Sequence, residues 1–287
     1  MNLCDIKTVK NIMQAYGLHF RKEFGQNFLT NKMVVEDIAA SCTDKADGTI
    51  VEIGPGLGTL TRELSAAHRE VVAFEIDKSL IPALSYTLND CKNVTVINED
   101  IMKVDLAAAL APYFEKGPVS VCANLPYYIT TPILMKLLES GLPFRHITIM
   151  IQLEVADRLV AKAGTAAYGA ITAVLNYYGT AERIMRVNAG NFMPPPKVDS
   201  AVVRIALHEK KPYLPKDEAT FFRTVKSAFE QRRKTLPNAL SAGFPEITKE
   251  DCVALVEAAG HRPDIRGERL DTAAFVALSD LIFDKLQ

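Results

Sequence analysis

At 287 residues, 48% hydrophobic and 23% charged, the chain has apolar material for one large domain, or for a large and a small one. The net charge of −1 advertises no polyanionic partner, so any nucleic-acid site has to come from local clustering of basic side chains. The five cysteines are scattered and form no C-x-x-C pair, which argues against a zinc site or a disulfide framework. No apolar leader and no run of about 18 apolar residues appears, so a soluble, cytoplasmic protein with reduced thiols is expected.

The spacing of Ile6, Val9, Ile12 and Met13 predicts a helix over residues 5–17. Residues 21–29 mix basic and aromatic side chains around Gly25 and read as a loop. Thr30 or Asn31 can cap a helix running to about residue 41, with Val34, Val35 and Ile38 on its inner face. Strands and helices then alternate. Strands are predicted at 49–53, 70–74, 94–97, 119–123 and 147–151, with helices to about 67, at 78–88, 105–112 and 131–140. Short Val- and Ile-rich strands alternating with helices argue for an α/β fold with a mostly parallel sheet covered on both faces. Further helices are expected at 154–162 and 170–178, and strands at 182–187 and 200–207. Residues 208–218 (HEKKPYLPKDE) are polar with two prolines and make the best linker. Beyond it the period is helical throughout, so the domains are read as 1–208 and a small all-helical 209–287.

Glu52-Ile53-Gly54-Pro55-Gly56-Leu57-Gly58 follows a strand and opens a helix. Such a glycine turn lets the backbone approach a ligand closely, and a dinucleotide site is one reading. Two details oppose it: Thr59 stands where the third glycine of G-x-G-x-x-G belongs, and Pro55 removes an N–H that would face a pyrophosphate. The loop suits a nucleoside without phosphates. Glu75, at the second strand end, can accept from both ribose hydroxyls, and Asp100, at the third, from an adenine amino group. Together these features resemble the S-adenosylmethionine site of class I (Rossmann-like) methyltransferases.

Asn124-Leu125-Pro126-Tyr127 ends the fourth strand. An exocyclic base nitrogen is a poor nucleophile because its lone pair is delocalised into the ring. Acceptors on its hydrogens favour the pyramidal geometry that attack requires, and the Asn124 side-chain oxygen and Leu125 carbonyl can supply two. Pro126 stiffens the backbone and Tyr127 offers a face for stacking. The chemistry demands no metal. The tetrapeptide is similar to the N/D-P-P-Y motif of amino-methyltransferases acting on adenine and cytosine. Combined with Phe24-Gly25-Gln26-Asn27-Phe28-Leu29, Glu52 to Gly58, Asn98-Glu99-Asp100 and Phe192-Met193-Pro194-Pro195-Pro196-Lys197-Val198-Asp199-Ser200, it resembles the ribosomal RNA adenine N6,N6-dimethyltransferase family, nearest to its bacterial small-subunit (16S) branch. The match runs from about residue 20 to the C-terminus.

The resemblance implies S-adenosylmethionine as cofactor, with Asn27 and Leu29 closing over its methionine end, Gly54 against it, Glu75 on the ribose, Asp100 on the adenine, and Asn124 serving both binding and catalysis. It implies that Phe192 stacks on the target adenine opposite Tyr127. It also implies dimethylation of two adjacent adenines in the 3′-terminal hairpin of small-subunit rRNA, within a pre-assembled subunit and in service of ribosome biogenesis. A monomer is expected, with no membrane and no metal. Alternatives are an Erm-type large-subunit rRNA adenine methyltransferase, a non-catalytic RNA-binding or transcription-factor relative, and, more distantly, a dehydrogenase. For RNA, Arg223, Lys226, Arg232, Arg233 and Lys234 cluster at the start of the helical domain; Arg262, Arg266 and Arg269 share one loop; Arg21 and Lys22 precede the cofactor lid. As a set they read as a phosphate track interrupted by Glu230, Asp264 and Glu268.

Overall fold

The structure, a computed structural model, describes residues 1–19 and 27–287. Arg21, Lys22 and the Phe24-Gly25-Gln26 part of the basic-aromatic stretch lie outside the described residues. The chain divides into two compact units, residues 1–156 with 182–207, and residues 157–181 with 208–287.

In the first unit, α1 (Ile6–Ala15) is capped by Asp5, whose carboxylate accepts the Thr8 N–H, and buries Val9, Ile12 and Met13. Ile6, grouped with them by spacing, is exposed. The two-residue strand β1 (Phe28–Leu29) precedes α2 (Lys32–Ser41), which Asn31 caps. There follow β2 (Thr49–Ile53), α3 (Thr59–Ala67), β3 (Glu70–Phe74), α4 (Ile81–Thr87), β4 (Val94–Ile97), α5 (Leu106–Phe114), β5 (Val119–Asn124), α6 (Thr130–Glu139) and β6 (Phe144–Gln152). All five residues of β2 are buried, because helices cover both faces of the parallel strands. After α7 (Leu153–Leu159) and α8 (Ala170–Tyr178), β7 (Gly179–Val187), the two-residue β8 (Phe192–Met193) and β9 (Ser200–Leu207) complete the strands.

The seven-stranded sheet has the order β4-β3-β2-β5-β6-β9-β7. The pairs from β4 to β6 are parallel, and β9 lies antiparallel to β6. The chain works outward from β2 to β4, then returns to the other side of β2 at β5. That reversal opens a crevice at the carboxyl ends of β2 and β5, where such sheets bind ligands. A second, two-stranded ladder pairs Phe28 with Met193 and Leu29 with Phe192. Sequence reasoning missed it, because two residues carry no readable period.

The second unit carries α9 (Glu218–Glu230), α10 (Leu236–Gly243), α11 (Lys249–Ala258) and α12 (Thr272–Leu286). It also takes residues 157–181, which a single cut after 208 assigns to the first domain. Packing explains the difference. Tyr168, Ala173 and Tyr177 are buried in one cluster with Phe221, Phe244 and Phe275. The Tyr177 ring lies 5.0 Å from Phe221, and its hydroxyl donates to Glu218 at 2.6 Å. Burying each such aromatic contributes roughly 1.5–3 kcal/mol, so α8 follows its apolar face rather than its place in the chain. α9 and α10 approach closely: a Cβ on Gly243 would come within 1.8 Å of the Ser227 Oγ. Gly243→Ala is therefore expected to destabilise the second unit by about 1–3 kcal/mol through overpacking. Urea unfolding checks this; unchanged stability would mean the two helices separate freely.

Candidate active site

The described residues of the first unit enclose a cavity of ≈ 1150 Å³, its open mouth included, at the carboxyl edge of the sheet. β2 contributes Glu52 and Ile53, β3 Phe74 followed by Glu75, and β5 Asn124; Asp100 follows β4. Asn27, Leu29, Gly54, Leu125, Tyr127 and Phe192 line the same cavity. Every cofactor and catalytic candidate named from the sequence thus faces one space.

The glycine turn is built for close approach. Gly54 has φ +71° and no atom within 4 Å of a would-be Cβ. Gly56 has φ +60°, and a Cβ there would lie 2.9 Å from the Phe28 ring. The Gly56 N–H donates to Glu75 Oε2 at 3.1 Å and the Asp77 N–H to Oε1 at 2.8 Å. Asn98 donates to the Glu75 carbonyl at 2.6 Å, a scaffolding role for that motif residue. Each Glu75 oxygen keeps a further acceptor position, so a vicinal diol can be held. Burial pushes the Glu75 carboxyl above its ordinary range. Asp100 Oδ1 accepts the Met102 N–H at 2.9 Å, which fixes that carboxylate at the rim.

Glu52 is the residue sequence reasoning quoted without using. It is 1% exposed, and its Oε2 has no hydrogen-bond partner among the described residues. Burial raises its carboxyl to about 8, against a lowering by the Thr61 hydroxyl and with a smaller raising by the Glu75 charge. The Thr59 hydroxyl, also at the cavity wall, likewise lacks a partner there. The available signal was the charge itself, one carboxylate among Ile50, Val51 and Ile53 in a fully buried strand, since local rules are broken mostly at functional sites.

At the β5 end, Asn124 Nδ2 donates to the Asn27 carbonyl at 3.3 Å, leaving Oδ1 as the end able to accept from a substrate. Pro126 is engaged behind the motif: its carbonyl accepts the Ile129 N–H at 3.1 Å and the Thr130 hydroxyl at 3.2 Å. Tyr127 is half-buried and its hydroxyl is 2.8 Å from Ser200 Oγ. Phe192 is mostly buried, its ring packed in the core cluster of Leu29, Leu60 and Val202 while it lines the cavity.

In the second unit the basic candidates separate into two sets. Arg223 Nε donates to the Gly243 carbonyl at 2.9 Å, and its guanidinium pairs with Glu246 and lies 4.2 Å from the Phe244 ring centre. Arg232 donates to the carbonyls of Ala166 and Tyr168. Lys226 lies 3.7 Å from Glu230, and Arg262 2.8 Å from Asp264. Arg233, Lys234, Arg266 and Arg269 are exposed and form no ion pair among the described residues.

A parallel sheet reversed at this point, a glycine turn at its first strand end, acids after the next two and Asn-Leu-Pro-Tyr at the fourth define a class I, Rossmann-like methyltransferase. Comparison with known proteins narrows the class. Residues 17–256 match the model of the family described as ribosomal RNA adenine dimethylase. The chain is 45% identical over 276 residues to the ribosomal RNA small subunit methyltransferase A of Geobacillus thermodenitrificans, covering 95% of this chain and 94% of that one. Among solved structures, a dimethyladenosine transferase from Plasmodium falciparum superposes with a TM-score of 0.75 at 24% identity, over 90% of this chain and 98% of that one. The 23S rRNA methyltransferase ErmE superposes with 0.70 at 24% identity, over 90% and 100%; both likenesses show the shared fold. The chain belongs to the ribosomal RNA adenine dimethylase family. It is an rRNA adenine dimethyltransferase, and such an enzyme draws on a methyl donor.

The cavity fits a donor bearing positive charge and hydroxyls, because the unpartnered Glu52 oxygen and the spare acceptor positions of Glu75 call for those groups. Without such a cation, Glu52 is a liability whose sign is testable. Its folded-state value of about 8 lies above the ordinary 4.5, so the folded chain keeps a proton that the unfolded chain has released. Stability is therefore lost as pH rises through that window. Glu52→Gln, having no proton to lose, is expected to match wild type near pH 4.5 and to melt at a higher temperature by pH 9, with the donor absent. Melting curves across this range check it; a constant difference would show that Glu52 does not titrate there.

Proposed function

We propose that this chain uses S-adenosylmethionine to N6,N6-dimethylate two adjacent adenines in the 3′-terminal hairpin of small-subunit rRNA. It acts as a cytoplasmic monomer on a pre-assembled small subunit during ribosome biogenesis. The observation that carries the reading is the commitment of Asn124: its nitrogen is held by the Asn27 carbonyl, so its oxygen is the end left to accept, at a cavity that Leu125, Glu52, Glu75 and Asp100 also line. The near full-length likeness to small-subunit methyltransferase A supports the choice of RNA.

Asn27 and Leu29 cover the methionine end of the cofactor, Gly54 lies against it, Glu75 accepts from the ribose hydroxyls and Asp100 from the adenine amine. Glu52 ionises to face the cationic end, which converts its burial from a cost into binding. The cofactor supplies a methyl group on a sulfonium, a good leaving group, so no metal and no strong base is called for. The chain's own work is to hold and orient. Asn124 Oδ1 and the Leu125 carbonyl accept from the exocyclic amine and localise its lone pair, while Tyr127 and Phe192 present aromatic surfaces to the extruded base. The second unit contributes phosphate contacts, led by Arg233, Lys234, Arg266 and Arg269; Arg223, Lys226, Arg232 and Arg262 contribute less because they are engaged within the protein.

The direct test uses methyl-labelled S-adenosylmethionine with unmethylated small subunits and with protein-free large-subunit RNA. Label recovered as dimethyladenine from the small subunit is expected; label only in large-subunit RNA would transfer the chain to the Erm-type activity. In the same assay Asn124→Ala is expected to lower turnover by at least ~10²-fold with RNA binding retained. Near-normal turnover would remove the clamp. Neutralising Arg233 and Lys234 together is expected to reduce the slope of log affinity against log salt by roughly one to two. An unchanged slope would place the phosphate track elsewhere.

A further inference from the structure

Asp199 and Ser200 close the motif that begins at Phe192, and the chemistry above leaves both without a task. Because β9 runs antiparallel to β6, its first residue rather than its last lies at the carboxyl edge of the parallel strands, beside the cavity. Ser200 stands opposite Gln152 in that ladder, two rows beyond Val202, which pairs with Met150; Met150 in turn pairs with Asn124. The Ser200 side chain is fully buried, and its hydroxyl is the hydrogen-bond partner of Tyr127 at 2.8 Å. Burial holds the Tyr127 phenol in its protonated form, so this bond persists through the neutral range.

Asp199 serves the other ring. Its Oδ1 accepts the Ala189 N–H at 2.9 Å, its Oδ2 accepts from Arg186 Nε at 3.0 Å, and its backbone carbonyl accepts the Leu153 N–H at 2.9 Å. The short turn Ala189–Asn191 leads directly into Phe192. One dipeptide therefore grips Tyr127 through a hydroxyl and the Phe192 segment through a carboxylate.

We propose that Ser200 is a positioning residue for methyl transfer, and that its bond to Tyr127 governs the second transfer to a given adenine more than the first. The inference rests on the reading of Tyr127 as the platform for the base. A primary amine offers two hydrogens, one to the Asn124 oxygen and one to the Leu125 carbonyl, and these two bonds orient the nitrogen largely by themselves. On transfer the new N–C bond forms as the donor's S–C bond breaks, and a proton leaves the nitrogen for water. The monomethylamine keeps a single N–H, so one of the two clamp bonds is lost. Its orientation then depends on the plane in which the base is stacked, and that plane is set by how firmly the Tyr127 ring is held. A ring released from Ser200 is free to tilt at the step that relies on it most.

The test compares Ser200→Ala, Tyr127→Phe, the double variant and Tyr127→Ala, each assayed at saturating cofactor and RNA with monomethyl- and dimethyladenine quantified over time. Donor affinity and melting temperature are measured alongside. Ser200→Ala and Tyr127→Phe are each expected to slow the second transfer relative to the first by roughly 3- to 10-fold, the worth of one hydrogen bond. Monomethyladenine then accumulates while donor affinity holds and the protein stays folded at the assay temperature, its melting point lowered by no more than the loss of one buried hydrogen bond accounts for. The double variant is expected to be no slower than either single one, because both remove the same bond. Multiplying effects, or equal slowing of both transfers, would overturn the proposal. Tyr127→Phe leaves the backbone and Ser200 in place, so it decides the matter alone if Ser200→Ala fails to fold. Normal turnover in Tyr127→Ala would overturn the platform reading itself. Its loss of turnover beside normal Ser200→Ala and Tyr127→Phe would overturn only the role of Ser200.

Discussion

Glu52 and Glu75 bring two carboxyl groups into a space from which water is nearly excluded, and much of the first unit is arranged around keeping them there. Burying a charge without a partner is expensive; the Glu75 charge raises Glu52 further, and the Asp77 charge adds to the effect of burial on Glu75. The fold answers differently at each. Glu75 is met by the N–H groups of Gly56 and Asp77, which requires the glycine turn to fold back over the end of β3. Glu52 is left with an oxygen unpartnered among the described residues and stays neutral near pH 7. Such a site is strained toward a cationic, hydroxyl-bearing ligand: stability given up in the empty protein is returned when the ligand ionises Glu52.

The same economy joins the two halves of the site. The ladder of β1 with β8 places Leu29 opposite Phe192, and the Thr30 N–H donates to the Asn191 carbonyl at 2.8 Å. Asn27, just ahead of β1, supplies the carbonyl that fixes the Asn124 amide. The segment proposed to cover the donor is thereby hydrogen-bonded both to Asn124 and to the strand carrying Phe192. A shift of this segment on donor binding would reach the acceptor side through the β1–β8 backbone bonds and through the Asn124 side-chain amide. Phe28 adds a steric reason for coupling, since its ring fills the space that any side chain at position 56 would take.

How much of this was legible in the sequence follows from which physics each feature rests on. The parallel strands were legible because burial on both faces writes itself as short runs of Val and Ile, and β2, β3 and β4 lie where those runs predict. That Glu75, Asp100 and Asn124 would face one cavity was legible because each stands at a strand end on the same edge of the sheet. The β1–β8 ladder was not, because two residues define no period. The membership of 157–181 in the second unit was not, because it depends on which core Tyr168 and Tyr177 enter, and an aromatic side chain does not announce its partner. Ser200 was invisible for a related reason: a small hydroxyl at a strand start reads as ordinary until its bond to a residue 73 positions away is seen.

The basic residues show the limit from the other direction. Sequence proximity joined Arg223, Lys226, Arg232, Arg233 and Lys234 into one cluster, but a charge in sequence carries no mark of whether it is already spent. Arg223 closes a contact between α9 and residues 243–246, stacked on Phe244, and Arg232 secures the loop before α8 through two carbonyls. A guanidinium paired within the protein has given up part of the field that would displace counterions from RNA, so it adds less to salt-dependent affinity than its charge implies. Of the eight basic candidates in the second unit, Arg233, Lys234, Arg266 and Arg269 are the ones left unpaired among the described residues. Under the proposed function, so small a set suits a net charge of −1: general attraction to RNA would stay weak, and discrimination would fall to the shape of the partner and to the grip on the extruded base.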